Sequence, residues 1–373
     1  MPHFNYTNVN DAFEDQVNRF NIFDQTGRSI ERMTRRDSRD GAVIRYSEPV
    51  TMTYERPLER VLFSPARDAN PFFHLYEAVW MLAGRNDLAS LTPFVKQFKR
   101  FSDDGETLHG AYGYRWRKYF GYDQLDWIAE ELKANPDSRR CVLQMWDGGR
   151  TVETDSEGTW GTAPQALKGS GDLYAALHGG KDVPCNLSAL FEIDHQVIHR
   201  GTMYETVEPR LNMTVMNRSN DLIWGALGAN YVHFSLLQEY LAGAIGVKVG
   251  VYNQVSNNLH VYTGSDRTKL STLAQPFVSR YSSLKLVPLL MENELKTDLT
   301  RDIDEGAHAP AQPESRYATN WFRYVFNPAM EAHAFHKIGK TLQAAGRANA
   351  IVDDAWRVAC TEWLERRYRG SNS

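Results

Sequence analysis

A mixed α and β fold is predicted by three features of this 373-residue chain. Apolar residues recur at three- and four-residue spacing in "NPFFHLYEAVWMLAG" and "NYVHFSLLQEYLAGAIG", as they do on buried helices. They alternate in "RLNMTVMNRSND", as on a half-buried strand. No repeat is visible at periods of about 20 to 50 residues, which sets solenoids and propellers aside.

Taken in chain order, the N-terminal "MPHFNYTNVNDAFEDQVNRF" lacks a basic segment followed by an apolar core, so it does not read as a signal peptide. The first periodic stretch, Asn70 to Gly84, sets Phe73, Tyr76, Val79 and Trp80 on one helical face and stops at a glycine. Glu77 lies inside that helix, where a carboxylate costs several kcal/mol unless it is partnered or protonated, and such a group suits proton transfer. "RRCVLQMWD" reads as a strand. The glycine-rich, polar stretch from about 148 to 181 has no periodicity and reads as a surface insertion or lid without a catalytic role.

"KDVPCNLSALFEI" follows as a strand that places Cys185 directly behind Pro184. Next come the alternating strand with Leu211, Met213 and Val215, and a helix with Val232, Leu236, Leu237, Tyr240 and Leu241 on its core face. After about Val287, "RDIDEGAHAPAQPESRYATN" reads as a proline- and charge-rich linker before a helical tail containing "AWRVACTEWLERRYRG". The chain therefore divides into a main domain over 1–286 and a linker with a helical extension over 287–373. Cys360, in the tail, reads as a small apolar residue.

A formal net charge of −4 gives no global field for a polyanion, although a local arginine cluster suits a single phosphate. Neither nucleic acid nor membrane is an expected partner, since no apolar stretch approaches the roughly 20 residues that span a bilayer. Cys141, Cys185 and Cys360 show no paired spacing, which argues against a disulfide framework or structural zinc and fits a reducing cytoplasm. No His, Asp or Glu cluster has metal-ligand spacing, so no metal is expected.

A thiol kept for chemistry needs cationic or hydrogen-bonding company that stabilises its thiolate. Candidate company lies in "LHGAYGYRWR" with Tyr112 and Arg115, "PDSRRCVLQMWD" with Arg139 and Arg140, "NRSNDLIWGALGAN" with Arg218, Ser219, Asp221 and Asn230, and "NNLHVY" with His260 and Tyr262. Singly, each has a plainer explanation. Adjacent arginines suit a solvated surface, a Tyr or His among apolar residues suits a hydrogen-bonded core, and Asp221 suits a cap on the following turn.

Read together and in order, "YEAVWMLAG", "HGAYGYRWR", "PDSRRCVLQMWD", "VPCN", "NRSNDLIWG", "GAN" and "NNLHVY" resemble the thymidylate synthase superfamily, which includes phage-type pyrimidine nucleotide hydroxymethylases. The resemblance covers roughly 36 to 272. It implies an α+β fold, a large mixed sheet flanked by helices, and a C2 homodimer formed through that sheet. It implies methylenetetrahydrofolate as cosubstrate and no flavin.

By this resemblance Cys185 is the nucleophile that adds to C6 of a pyrimidine and activates C5 for attack on the folate methylene. Arg218 and Ser219 hold the nucleotide phosphate, and Arg139 and Arg140 reach the neighbouring subunit's phosphate. Arg39 corresponds to a loop arginine that closes over the phosphate, with Arg36 as the competing choice. Glu77 relays protons, Tyr112 serves removal of the C5 proton, and His260 and Tyr262 hold the sugar hydroxyl. Trp80 and Asp221 face the folate. Asn230 reads the base, and its amide favours dUMP over dCMP, although "WGALGAN" holds one more residue than the usual family spacing.

The methylene transferred to C5 becomes a methyl group if it accepts hydride and a hydroxymethyl group if it accepts water. Thymidylate synthases usually carry histidine after the nucleophile and end in a short apolar tail. This sequence has Asn186 there and "RYRGSNS" at its end, which favours a deoxyuridylate hydroxymethylase. The alternatives are thymidylate synthase making dTMP, dCMP hydroxymethylase, and a non-catalytic nucleotide-binding protein. A cysteine hydrolase pairing Cys185 with His260 leaves the arginines and Glu77 unexplained.

Overall fold

The computed structural model describes residues 1–29, 31–38, 40–149, 171–197, 207–264 and 269–370. Its strands are β1 (His3–Tyr6), β2 (Met33–Ser38), β3 (Gly41–Tyr46), β4 (Val50–Tyr54), β5 (Val142–Gln144), β6 (Asn186–Val197), β7 (Val207–Asn217), β8 (Asn220–Asp221), β9 (Lys248–Ser256) and β10 (Leu259–Tyr262). They form a six-stranded mixed sheet, β1-β4-β9-β7-β6-β5, and a four-stranded sheet, β2-β3-β10-β8. The architecture is α+β.

Two neighbouring strands cross between these sheets at the same level. β7 runs parallel to β9 in the large sheet, and their continuations β8 and β10 are parallel in the small one. The crossings are stitched together by Asn257 N–H to Asn217 O at 2.9 Å and Asn220 N–H to Asn258 O at 2.9 Å. Arg218 and Ser219 occupy one crossing, with Asp221 just beyond it opposite His260. The start of β6 pairs with the end of β7, Asn186 opposite Asn217, which brings Cys185 to the same place.

Helix α1 (Val9–Thr26) is capped by the Asn8 side chain and ends at left-handed Gly27. Helix α2 (Pro71–Leu82) has Asn70 as its N-cap and proline in its first turn, and every one of its residues is buried. After the short turn α3 (Tyr112–Tyr114), helices α4 (Gln124–Ala134) and α5 (Asp172–Leu177) precede α6 (Ala229–Ile245). α6 packs against α2, α4, β7 and β9. The expected core face is buried, and so are His233, Ser235, Gln238 and Glu239, because this helix is central and has no solvent side.

The small helix α7 (Leu270–Leu273) leads to α8 (Lys296–His308), α9 (Asn327–Lys337), α10 (Thr341–Asn349) and α11 (Asp354–Gly370). The segment that reads as a linker thus contains most of α8, which packs on α2 and buries Leu299, Ile303 and Ala307. Fully buried Asp302 accepts the backbone N–H groups of Ala318 and Thr319 at 2.9 and 2.7 Å, fastening the proline-rich stretch behind it. Tyr76 donates to Ala307 O at 2.7 Å, and Trp363 meets Phe72 edge-on at 5.4 Å. The C-terminal helices therefore cover the outer side of α2. Cys360 is buried among them.

The 148–181 stretch also differs from a plain surface insertion where it is described. Asp172 is fully buried and grips Arg115, itself fully buried, through Nη1 at 2.7 Å and Nη2 at 2.8 Å. The polar composition that reads as solvated from sequence includes one carboxylate with a buried cationic partner. Residues 150–170 lie outside the described residues.

Candidate active site

Cys185 is half-buried, and Cys141, Cys185 and Cys360 are all reduced thiols. Arg218 donates its backbone N–H to Cys185 O at 2.9 Å. Its guanidinium doubles back, Nε to Pro184 O at 2.8 Å and Nη2 to Val183 O at 3.0 Å. A positive charge is thus fixed on the two residues preceding the thiol, and it uses two of the five guanidinium donors. Such placement sets a cationic side chain on the segment that carries the thiol and leaves donors for an anion. Pro184, which has no N–H, presents its carbonyl to this contact.

Tyr112 lies against the same sulfur-bearing segment. Burial pushes its phenol pKa upward, the Cys185 thiol adds to the rise, and a hydrogen bond from Cys185 backbone opposes it. The phenol is therefore neutral and able to donate at ordinary pH. The turn carrying Tyr112 is pressed onto the end of α2, since a Cβ at Gly113 would overlap the Met81 carbonyl oxygen. The Tyr112 ring also lies 6.3 Å from Phe234 of α6.

The preceding loop is tied to the thiol segment as well. Gly110 donates to Asp182 at 2.7 Å, three residues before Cys185. Burial raises the Asp182 pKa, opposed by the Gly110 N–H bond and by His109 and Arg115.

At the sheet crossing, Asp221 Oδ1 caps the next turn by accepting from Ile223 N at 2.8 Å and Trp224 N at 2.6 Å. Its Oδ2 is buried and meets no hydrogen-bond partner among the described residues. Burial raises the Asp221 pKa, opposed by those two N–H bonds, His260 and Arg67. His260 is buried with Nδ1 3.2 Å from Asn258 O, and its ring meets Tyr262 edge-on at 5.2 Å. Tyr262 is half-buried; burial raises its pKa, and Asp40, Asp221 and Cys185 add to the rise.

Asn230 opens α6. Its Nδ2 and Asn220 Oδ1 both crowd the space beside Gly225, where a Cβ would lie 3.1 and 2.8 Å from them. Glycine there lets the two amides approach. Glu77 on α2 is buried and places Oε2 3.1 Å from Nε2 of buried His233 on α6. The approach lies off the axis of a hydrogen bond, so Glu77 Oε2 and both ring nitrogens meet no hydrogen-bond partner among the described residues. The same holds for both amide atoms of Asn186, which is buried beside the thiol.

Cys185, Arg218, Ser219, Tyr112, Asp221, His260 and Tyr262 thus gather at the sheet crossing, Asn230 approaches it at the start of α6, and Glu77 meets His233 between α2 and α6. Trp80 is buried, its indole N–H 3.3 Å from Asp87. Arg139 and Arg140 are exposed at the start of the β5 edge strand. Arg39 lies outside the described residues, and Arg36 is exposed on β2.

Arg67, His74 and His233 escape the sequence motifs, and Trp224 lies inside "NRSNDLIWG" without an assigned role. Arg67 packs its guanidinium 4.1 Å over the ring of half-exposed Trp224 and bonds Ile223 O at 3.0 Å; burial lowers its pKa to about 10. His74 and His233 join Glu77 between α2 and α6. The available signal was a histidine inside each apolar run, and three-residue spacing of His74 and Glu77. Among the described residues no group of three or more His, Cys, Asp or Glu side chains is arranged to hold a metal ion.

Comparison with known proteins agrees with this geometry. The thymidylate synthase family model matches residues 27–301. A deoxyuridylate hydroxymethyltransferase of Pseudomonas phage M6 is 40% identical over 357 residues, covering 89% of this chain and 88% of that protein. One from Bacillus phage SP01 is 32% identical over 242 residues, covering 62% of this chain and 54% of the other. A thymidylate synthase of Symbiobacterium thermophilum is 25% identical over 255 residues, covering 64% and 75% respectively. With the motifs in order, the Cys185 segment and Arg218 bonded at the sheet crossing, and the match spanning most of its length, this chain belongs to the thymidylate synthase family.

Proposed function

We propose that this protein is a deoxyuridylate hydroxymethylase, transferring the methylene of methylenetetrahydrofolate to C5 of dUMP and adding water to it. The observation that carries the reading is the Arg218 guanidinium fastened to the Val183 and Pro184 carbonyls directly before Cys185, at the crossing of the two sheets. The names of the phage relatives support the hydroxymethyl outcome, as does the buried amide of Asn186 beside the thiol.

In this reading Cys185 Sγ bonds to C6, and the electron pair of the C5–C6 double bond moves towards O4. C5 then attacks the folate methylene and loses its proton through water held by Tyr112. Tetrahydrofolate leaves as the C5 electrons form an exocyclic C=CH2. Water adds its oxygen to that carbon, one water proton passes towards Glu77, and the returning electron pair expels the Cys185 thiolate. Arg218 and Ser219 hold the phosphate, His260 and Tyr262 the sugar, and Asn230 the uracil edge.

Trp80 and Asp221 face the folate, joined by Trp224. The buried, partnerless Oδ2 of Asp221 and the half-exposed Trp224 indole fit a ligand that combines hydrogen-bond donors with a flat ring. The protein acts as a homodimer through the outer face of the large sheet, where cross-strand neighbours Val142 and Leu190 are 46% and 42% exposed. Arg139 and Arg140, beside that face, would reach the second copy's phosphate. Arg39 is proposed for the same anion. Among the described residues no helix is long and apolar enough to cross a membrane, and the proposed setting is the cytoplasm, that of the host cell for a phage protein.

The test is incubation with methylenetetrahydrofolate and dUMP labelled with tritium at C5. Expected are released tritium, a nucleotide heavier by one hydroxymethyl group, and tetrahydrofolate. Label from a ring-labelled nucleotide remains on denatured protein but not on Cys185→Ser. Formation of dTMP with dihydrofolate would replace this reading with methyl transfer.

A further inference from the structure

We propose that His233 is a positioning residue for the water-addition step, acting through Glu77. This rests on the hydroxymethylase reading above and assigns a part to a side chain outside the family motifs. His233 lies three residues after Asn230 on α6, one helical turn on, and Glu77 lies three residues before Trp80 on α2. The two side chains meet where the buried helices pack, Oε2 to Nε2 at 3.1 Å.

A histidine placed there only to fill the core would have a ring nitrogen donating to a carbonyl, as buried imidazoles ordinarily do. Neither nitrogen of His233 does so among the described residues, and the facing Glu77 Oε2 is equally without a hydrogen bond. Three buried polar atoms therefore direct their capacity at something other than neighbouring protein. A buried water needs about two to four polar partners, and this junction supplies them. The nearby His74 does not compete as a cation, because burial, with Arg67 and His233 adding, holds its pKa well below the usual histidine range.

The chemistry gives the arrangement a purpose. An exocyclic methylene awaiting hydride is best kept dry, whereas one awaiting water needs an oriented water molecule and an acceptor for its proton. Nε2 of His233, 3.1 Å from Glu77 Oε2, holds the carboxylate in place beside that water, so that Glu77 receives the proton while the C–O bond forms and the C6–S bond breaks. His233 itself touches neither nucleotide nor folate in this scheme.

The experiment uses the full chain, with His233→Phe and His233→Gln compared with the unaltered protein. Phenylalanine keeps the ring volume without a donor; glutamine keeps a donor. Each protein receives C5-tritiated dUMP, methylenetetrahydrofolate and a small thiol, which competes with water for the exocyclic methylene. The readout is hydroxymethyl product per tritium released. For H233F the ratio is expected to fall at least about tenfold, below the roughly 10²–10⁴ that a whole acid–base group contributes, with thiol-trapped nucleotide rising to match. H233Q is expected to restore most of the ratio.

An unchanged ratio in H233F, or a loss in H233Q as large as in H233F, overturns the proposal. If H233F does not fold, His233→Asn, which keeps an amide too short to span to Glu77, is compared with H233Q on the same terms. Should the unaltered protein make dTMP, the hydroxymethylase reading fails first. A retained ratio in the variants with hydroxymethyl product from the unaltered protein fails only the role of His233.

Discussion

Replacing Asp172 by alanine is expected to destabilise the protein by about 3 kcal/mol, the lower end of the roughly 3–5 kcal/mol typical of breaking one side of a buried ion pair. The carboxylate uses both oxygens. Oδ2 accepts from Arg115 Nη1 and Asp147 N, each at 2.7 Å, and Oδ1 accepts from Arg115 Nη2 at 2.8 Å and contacts His109 Nε2 at 2.9 Å. Alanine leaves the guanidinium of Arg115 fully buried without its counter-charge. The loss stays at the lower end because Arg115 keeps the carbonyls of Met145 at 2.7 Å and His109 at 3.1 Å.

The same contacts predict an acid dependence. Burial alone would raise the Asp172 pKa, but bonds from His109 and Arg115 outweigh it and the net shift is downward. A carboxylate whose pKa is lower folded than unfolded contributes its stability above the unfolded value, about 3.9, and loses it as pH falls below that. The unaltered protein should therefore lose stability more steeply than Asp172→Ala below about pH 4.

Urea unfolding followed by tryptophan fluorescence, at neutral pH and through the acid range, measures both effects. The Arg115→Met, Asp172→Leu double variant should regain most of the loss, because two well-packed apolar side chains leave no charge buried alone. A change below about 1 kcal/mol in Asp172→Ala, within the range of exposed pairs, would refute the reasoning and return the 148–181 stretch to an ornamental loop.

Two further expectations concern the site. Arg218→Lys cannot hold the Pro184 and Val183 carbonyls together, and losing one charged hydrogen bond, about 1.5–3 kcal/mol, should lower kcat/KM for dUMP by about 10- to 100-fold. Slower alkylation of Cys185 by iodoacetamide should accompany it; unaltered kinetics would separate the arginine from the thiol. Asn230→Asp is expected to raise the preference for dCMP over dUMP at least about tenfold, because a carboxyl group matches the cytosine edge while leaving uracil with an unpaired group. Competition between the two nucleotides, with products separated by mass, reads that ratio, and no shift would place base reading elsewhere.

Local order along the chain determined a good deal by itself. Asn70, Pro71 and the following apolar spacing specify α2, the alternation of Leu211, Met213 and Val215 specifies β7, and the order of motifs around Cys185 carries the family, since chemistry at a pyrimidine demands those residue types whatever their neighbours. The tertiary structure decided matters that depend on who is opposite. His233 reads as one more residue of an apolar helix until α2 sets Glu77 against it. Asp172 reads as solvated loop until Arg115 is found buried beside it, and the stretch from Arg301 reads as linker until α2 supplies α8 with a surface to cover. Periodicity reports which face of an element is apolar, but a buried polar side chain derives its meaning from a partner distant in sequence, and that pairing exists only once the sheets and helices have been assembled.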